Sequence, residues 1–343
     1  MNMDSFFKRI KRKLVSTVCK PLNYTKGKQS LEFVLHSKTK GEIDIICTPL
    51  LGDTVYALSC LDALKNKNPD RNIHVYSYRK FEQLLSRYKN VDQITYIDDP
   101  GHEELIGLDH FIHFNGLSEK AKRLGVINAN PFYYKECYNA SKLDIMYQMK
   151  KHVFEVGEDR LITYHDVLGG RAKRDKVAIL NPYSYSAFDA NFDIYIRIAK
   201  ELAKRGYTVF TNVIKEQKSI DGTRELRCSI YELYDLARVG KVIISTRSGI
   251  LDFLAPSDIN MFVIYENCSD RNKKMYHLSN WECKGIIQEV YPGDNGYTYE
   301  DVYHDFIRFV DIMIRESKGY LYFILLAIGT LKTEYVAVNF QKC

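Results

Sequence analysis

The chain has 343 residues, 45% hydrophobic and 27% charged, with a formal net charge of +6. That size and composition support a packed core in two domains or one large one and exclude wholesale disorder. The basic excess gathers in "KRIKRK" (Lys8 to Lys13) rather than in a stripe interleaved with aromatics along a domain, which argues against nucleic acid as a partner.

Residues 1–40 stand apart. In "MDSFFKRIKRKLVSTVCKPL", Phe6, Ile10, Leu14 and Val18 recur at helical spacing with Lys and Arg between them. This predicts a basic amphipathic helix ended by Pro21. Residues 5–18 either dock on the body by their apolar edge or lie on an anionic membrane surface. "NYTKGKQS" reads as a linker.

From Glu42 strands and helices alternate. "IDIIC" leads through "TPLLGD" to a helix over about 54–66. Strand 72–78 precedes the helix "KFEQLLSRY", and strands follow at 93–98 and 109–115. Residues 131–170 read as a helical bridge, and "GGRAKRDK" as a charged break. A second alternation follows: strand 177–183, the helix "DIYIRIAKELAKRG", strand 207–213, the helix "SIYELYDLARVG" and strand 241–246. The turn "RSG", the short helix "ILDFLAPS", strand 260–265, a long polar loop and the helix "TYEDVYHDFIRFVDIMIRES" complete it. The pattern predicts mostly parallel sheets in two α/β domains, 41–170 and 171–318. Residues 319–343 form an apolar extension; its run Tyr320 to Leu331 is too short for a membrane helix.

Several chemistries lack their motifs. No G-x-G-x-x-G, G-K-[ST], H-E-x-x-H, G-x-S-x-G or D-x-D is present, so no resident cofactor or metal is expected. Eight cysteines, none in C-x-x-C, argue against zinc or a disulfide framework and for a reducing cytoplasm. The start shows no secretory signal pattern. A ligand should therefore lie at the carboxyl ends of the strands, in a central cleft.

Three junctions there look chemical. In "TPLLGDTVYALSCLDALK" Asp53 is placed at or near a helix N-cap, where it either caps the helix or serves as a base toward a hydroxyl. Gly52 removes a side chain where something approaches closely, and Thr54 follows it. In "ISTRSGILDFLA" a buried strand runs into Arg247, Ser248 and Gly249 at a helix start. That arrangement suits an anion, although Ser248 as a plain cap and Arg247 as a surface charge remain open. "NPYSYSAF" offers Ser184 and Ser186 to phosphate or sugar hydroxyls, or is an ordinary loop.

The order of these junctions resembles the bacterial heptosyltransferase family, glycosyltransferase family 9. There a first strand meets a "GD" turn, a later strand meets a "P-x-x-S" turn, and a "DSGxxHlA" turn precedes a strand ending in Tyr. The similarity spans roughly residues 42 to 268. It implies a GT-B-like fold, α/β, with two Rossmann-like parallel-sheet domains facing a cleft, the first for the acceptor and the second for a nucleotide sugar. It further implies Asp53 as catalytic base, with Gly52 and Thr54 in the acceptor-side loop. Ser248 and Gly249 would form the donor-diphosphate turn, with Tyr265 and Glu266 at the segment that holds the nucleotide and no metal. The residues themselves add Ser184, Ser186 and Arg247 as expected donor contacts, Arg247 in place of the family's lysine. Three positions depart from the pattern. Arg247 stands where the family has an acid, "SAFDANFD" lacks the family's lysine, and Leu51 replaces a small residue.

The activity implied is inverting, metal-independent transfer from a nucleotide-diphosphate sugar to a cell-surface glycan or lipid-linked acceptor. A cytoplasmic protein, with its basic helix suited to the inner face of the plasma membrane, fits that activity. A sugar-nucleotide epimerase and a non-catalytic glycan-assembly scaffold remain open.

Overall fold

The computed structural model describes residues 41–86, 88–102, 105, 118–129, 134, 148–156, 176–184, 190–266, 277, 278, 281, 283–294 and 296–315, together with 29, 31, 32 and 34. The expected strand at 109–115, the basic helix at 5–18 and the extension at 319–343 lie outside the described residues. The chain divides into two compact units. The first draws on Met1–Arg171, Ser248–Ser257 and Ser269–Glu282; the second draws on Ala172–Arg247, Asp258–Cys268 and Cys283–Cys343.

The first unit is built on a four-stranded sheet of order β3-β2-β1-β4, with β1 Ile43–Ile46, β2 Ile73–Ser77, β3 Gln93–Tyr96 and β4 Val126–Asn128. Every pairing is parallel. Helix α1 spans Leu51–Ser59 and α2 spans Leu61–Lys67; a 3₁₀ turn at Arg79–Phe81 runs into α3, Glu82–Leu85, and α4 covers Ser118–Arg123. The bridge is represented by helical residues 148–149 and a π-helical turn at Lys150–Phe154. Ile46, Tyr76, Ile97, Leu105, Ala121 and Val126 form a core cluster with Val34. Buried residues occupy nearly every side of α1, including Val55, Tyr56, Ala57 and Leu58. A helix that is apolar all round must be covered all round. Part of its cover is a helix from far along the chain, α7, Gly249–Leu254.

The second unit holds a six-stranded parallel sheet of order β10-β9-β8-β5-β6-β7. Its strands are β5 Val177–Asn181, β6 Thr208–Asn212, β7 Arg224–Leu226, β8 Val242–Thr246, β9 Asn260–Ile264 and β10 Ile287–Val290. Helices α5, Phe192–Lys204, and α6, Ile230–Gly240, connect them, and α8 covers 299–315. Ile194, Ile198 and Leu202 of α5 recur every four residues and bury one stripe against Leu180 and Val209. Phe306 and Phe309 of α8 pack on Phe262 with ring centroids 5.4 and 5.5 Å apart. Truncating Phe306 to Ala would open a cavity costing about 3–5 kcal/mol.

The sheets are of the expected α/β class. One boundary moves with consequence: α1 begins at Leu51, three residues before the expected start. Leu50 is its extended N-cap residue and makes no side-chain cap bond. Among the described residues no helix is long and apolar enough to cross a membrane.

Candidate functional site

The first candidate cluster lies at the carboxyl end of β1. Thr48 organises it. The Leu50 backbone N–H donates to Thr48 Oγ1 (3.2 Å), Thr48 Oγ1 donates to Asp53 Oδ2 (3.1 Å), and Thr54 Oγ1 donates to the Thr48 carbonyl (3.1 Å). Asp53 is thus the third residue of α1 and not its N-cap, because the chain turns helical at Leu51. Its carboxylate is half-buried, in the first turn where the helix dipole favours a negative charge. Cys47, beneath it, is buried, and burial pushes its thiol up to about 12, so it stays a neutral hydrophobe.

Gly52 is buried, and what approaches it is α7. A Cβ at Gly52 would lie 2.8 Å from Asp252 Oδ2 and 3.2 Å from the Gly249 Cα. A Cβ at Gly249 would lie 2.6 Å from the Gly52 amide nitrogen. The two glycines let two helix starts meet backbone to backbone, which explains both. Asp252 is 2% exposed, so a carboxylate is enclosed at this contact. Ser248 sits at the N-cap of α7 in extended conformation without a side-chain cap bond, and α7 is only six residues long. Ser248 and Gly249, expected to form the donor turn of the second domain, belong to the first unit, where Gly249 packs on the start of α1.

Sequence reasoning missed Lys80. From the end of β2 its Nζ donates to the Pro49 carbonyl at 2.6 Å, placing a cation at the entry to α1. Desolvation lowers its pKa. The signal available was "RK" at the carboxyl end of a neighbouring strand.

The second cluster lies at the carboxyl ends of β5, β6, β8 and β9. Asn212 Nδ2 donates to Asn181 Oδ1 (2.8 Å), and Asn181 Nδ2 donates to Ser245 Oγ (2.9 Å). This amide rung, buried at Asn181 and Ser245, ties three strand ends together, and only the polar residues inside otherwise apolar strands hinted at it. Ser184 is half-buried beyond β5; Ser186 lies outside the described residues, as does most of the loop after Glu266. Arg247 is half-buried, and its backbone N–H donates to the Ile264 carbonyl.

Tyr265 and Glu266 are buried rather than open. Tyr265 stacks on Tyr291 with centroids 4.6 Å apart and donates its hydroxyl to Glu289. Burial raises the phenol well above its usual value while the Arg247 charge opposes that. Glu266 Oε2 accepts the Asn191 N–H at 2.5 Å, at the start of α5. Burial pushes its carboxyl up to about 7, against the lowering influence of the Asn191 and Tyr299 hydrogen bonds.

The structure therefore brings Gly52, Asp53 and Thr54 together with Ser248 and Gly249 in one unit. Arg247, Tyr265, Glu266 and Ser184 lie in the other.

No protein-family model matches the sequence, and no curated protein matches it significantly. Solved structures do resemble it. The glycosyl transferase family 9 protein from Veillonella parvula DSM 2008 superposes with a TM-score of 0.52 at 13% identity, over 80% of this chain and 98% of that one. The E. coli heptosyltransferase WaaC with ADP gives 0.54 at 13% identity, over 78% and 99%. The E. coli ADP-heptose lps heptosyltransferase II gives 0.51 at 13% identity, over 80% and 99%. At such identities the likeness is one of fold: the chain has the two-sheet α/β fold of these heptosyltransferases.

Proposed function

We propose that the protein is a glycosyltransferase that moves a sugar from a nucleoside-diphosphate sugar to a hydroxyl of a cell-surface glycan or lipid-linked acceptor. Asp53 carries the reading. It is a half-buried carboxylate at the carboxyl end of a parallel strand, oriented by Thr48 and held in the first turn of a helix. A carboxylate so placed takes the proton from the acceptor hydroxyl as that oxygen attacks the anomeric carbon. Attack opposite the leaving group in a single displacement inverts the configuration. The diphosphate leaves with its charge stabilised by Arg247, so no metal is required. The fold shared with a heptosyltransferase solved with ADP supports a nucleotide donor.

Acceptor-dependent release of nucleotide, measured across nucleotide sugars with total lipid-linked glycan, tests the proposal. Sugar isomerisation without acceptor would instead make it an epimerase, and neither reaction would leave a scaffold. Arg247→Ala should raise the donor KM sharply, and an unchanged KM removes Arg247 from the donor site.

A further inference from the structure

At the opposite end of the first sheet, three side chains with metal-ligating atoms converge. Glu42, directly before β1, Asp44 of β1 and His74 of β2 are 7%, 0% and 6% exposed, and their ligand atoms all lie within 4.8 Å of one another. The parallel register sets Asp44 beside His74. Arg71 donates to the Gly41 and Glu42 carbonyls at 2.7 and 3.0 Å, which fixes the backbone that carries Glu42.

The histidine ring is oriented from outside the cluster. Its Nε2 lies 2.8 Å from Thr95 Oγ1 on β3, and the ring packs at a 31° tilt against Tyr76 with centroids 4.2 Å apart. When Nε2–H donates to Thr95, Nδ1 presents its lone pair to Asp44 Oδ1, 3.5 Å away. A proton shared between those atoms would draw them to about 2.7–2.9 Å, the span of a charge-assisted bond. A cation about 2.1 Å from each would instead see them at an angle of about 110°, the tetrahedral arrangement. Fixing the second imidazole nitrogen is also how metal-bound histidines are held.

We propose that Glu42, Asp44 and His74 bind a divalent first-row metal ion of the zinc class, a structural clamp joining β1 to β2. Two carboxylates and one imidazole, with no sulfur, suit such an ion better than copper(I) or magnesium. Asp44 lies three residues before Cys47, roughly 10 Å along the strand from the carboxyl end that leads to the Asp53 junction. The site takes no part in the transfer proposed above and stands or falls separately from it.

The test is Zn²⁺ titration of the chelator-treated full chain against a chromophoric chelator, with thermal unfolding alongside. We expect uptake of one equivalent and a rise in Tm that the same concentration of Mg²⁺ does not reproduce. Thr95→Val should weaken Zn²⁺ binding about 10–100-fold, and His74→Gln should abolish it. The absence of Zn²⁺ uptake by the unaltered chain overturns the proposal. So does full uptake in His74→Gln, which would place the ion elsewhere, or an unchanged affinity in Thr95→Val, the milder variant should His74→Gln not fold.

Discussion

Helix starts in the two units are finished differently. In the second unit α5 begins at Asn191, whose side chain accepts the Asp193 N–H, and α6 begins with a full capping box between Ser229 and Glu232. In the first unit α1 and α7 make no side-chain cap bond at Leu50 or Ser248; instead the two starts abut through Gly52 and Gly249. The capped starts are local and self-sufficient, satisfying their own amides within four residues. The uncapped starts depend on each other and keep a carboxylate, Asp53, that accepts from the Thr48 hydroxyl at 3.1 Å. Local caps serve stability, and the paired glycine starts serve position.

That contrast can be broken most sharply at Asp53. Asp53→Asn keeps the shape and should lower kcat about 10²–10⁴-fold, with Tm nearly unchanged. A variant as active as the parent makes the junction purely structural. Next comes Gly249→Ala, whose Cβ would strike the Gly52 backbone; a stability loss of about 1–3 kcal/mol is expected in denaturant unfolding. Gly52→Ala should cost less, since the nearer obstacle is the end of the Asp252 side chain, and adding Asp252→Ala should recover part of it.

Glu266 tests the other unit by pH. Its folded value, about 7, stands above the ordinary 4.5, so the folded state holds a proton that the unfolded chain has released. The corresponding stability is complete below about 4.5 and is lost as pH rises through about 7. Glu266→Gln should flatten the Tm profile across that window and gain roughly 1–2 kcal/mol at alkaline pH. An unaltered slope would assign the pH dependence to other groups. Smallest of all, Ser229→Ala should cost about 1 kcal/mol of stability and leave transfer activity untouched.

Much of the second sheet was legible because its inner strands hold continuous apolar runs, "VAIL" and "MFVI", that only a doubly covered parallel sheet accommodates. The strands that escaped are short or polar. "REL" of β7 carries two charges at a sheet edge, and "IQEV" of β10 sits in what reads as a polar loop. Asp53 was legible as a candidate, but its place in the helix was not, because Leu50 and Leu51 give no cap signal. Nor could the sequence show what Gly52 meets, since Gly249 comes near only through folding. Asp44 and His74 meet by strand register, which no local spacing encodes.

Helix α7 has a practical bearing on how the protein can be divided. A fragment ending at residue 171 would contain every strand of the first sheet and the Asp53 junction, yet would leave bare the glycine face of α1 that residues 248–257 cover. The apolar side chains of α1 would then meet water, and the fragment should associate with itself or with an added α7 peptide. The first unit is therefore not a detachable module: synthesis must run past residue 257 before α1 can be enclosed.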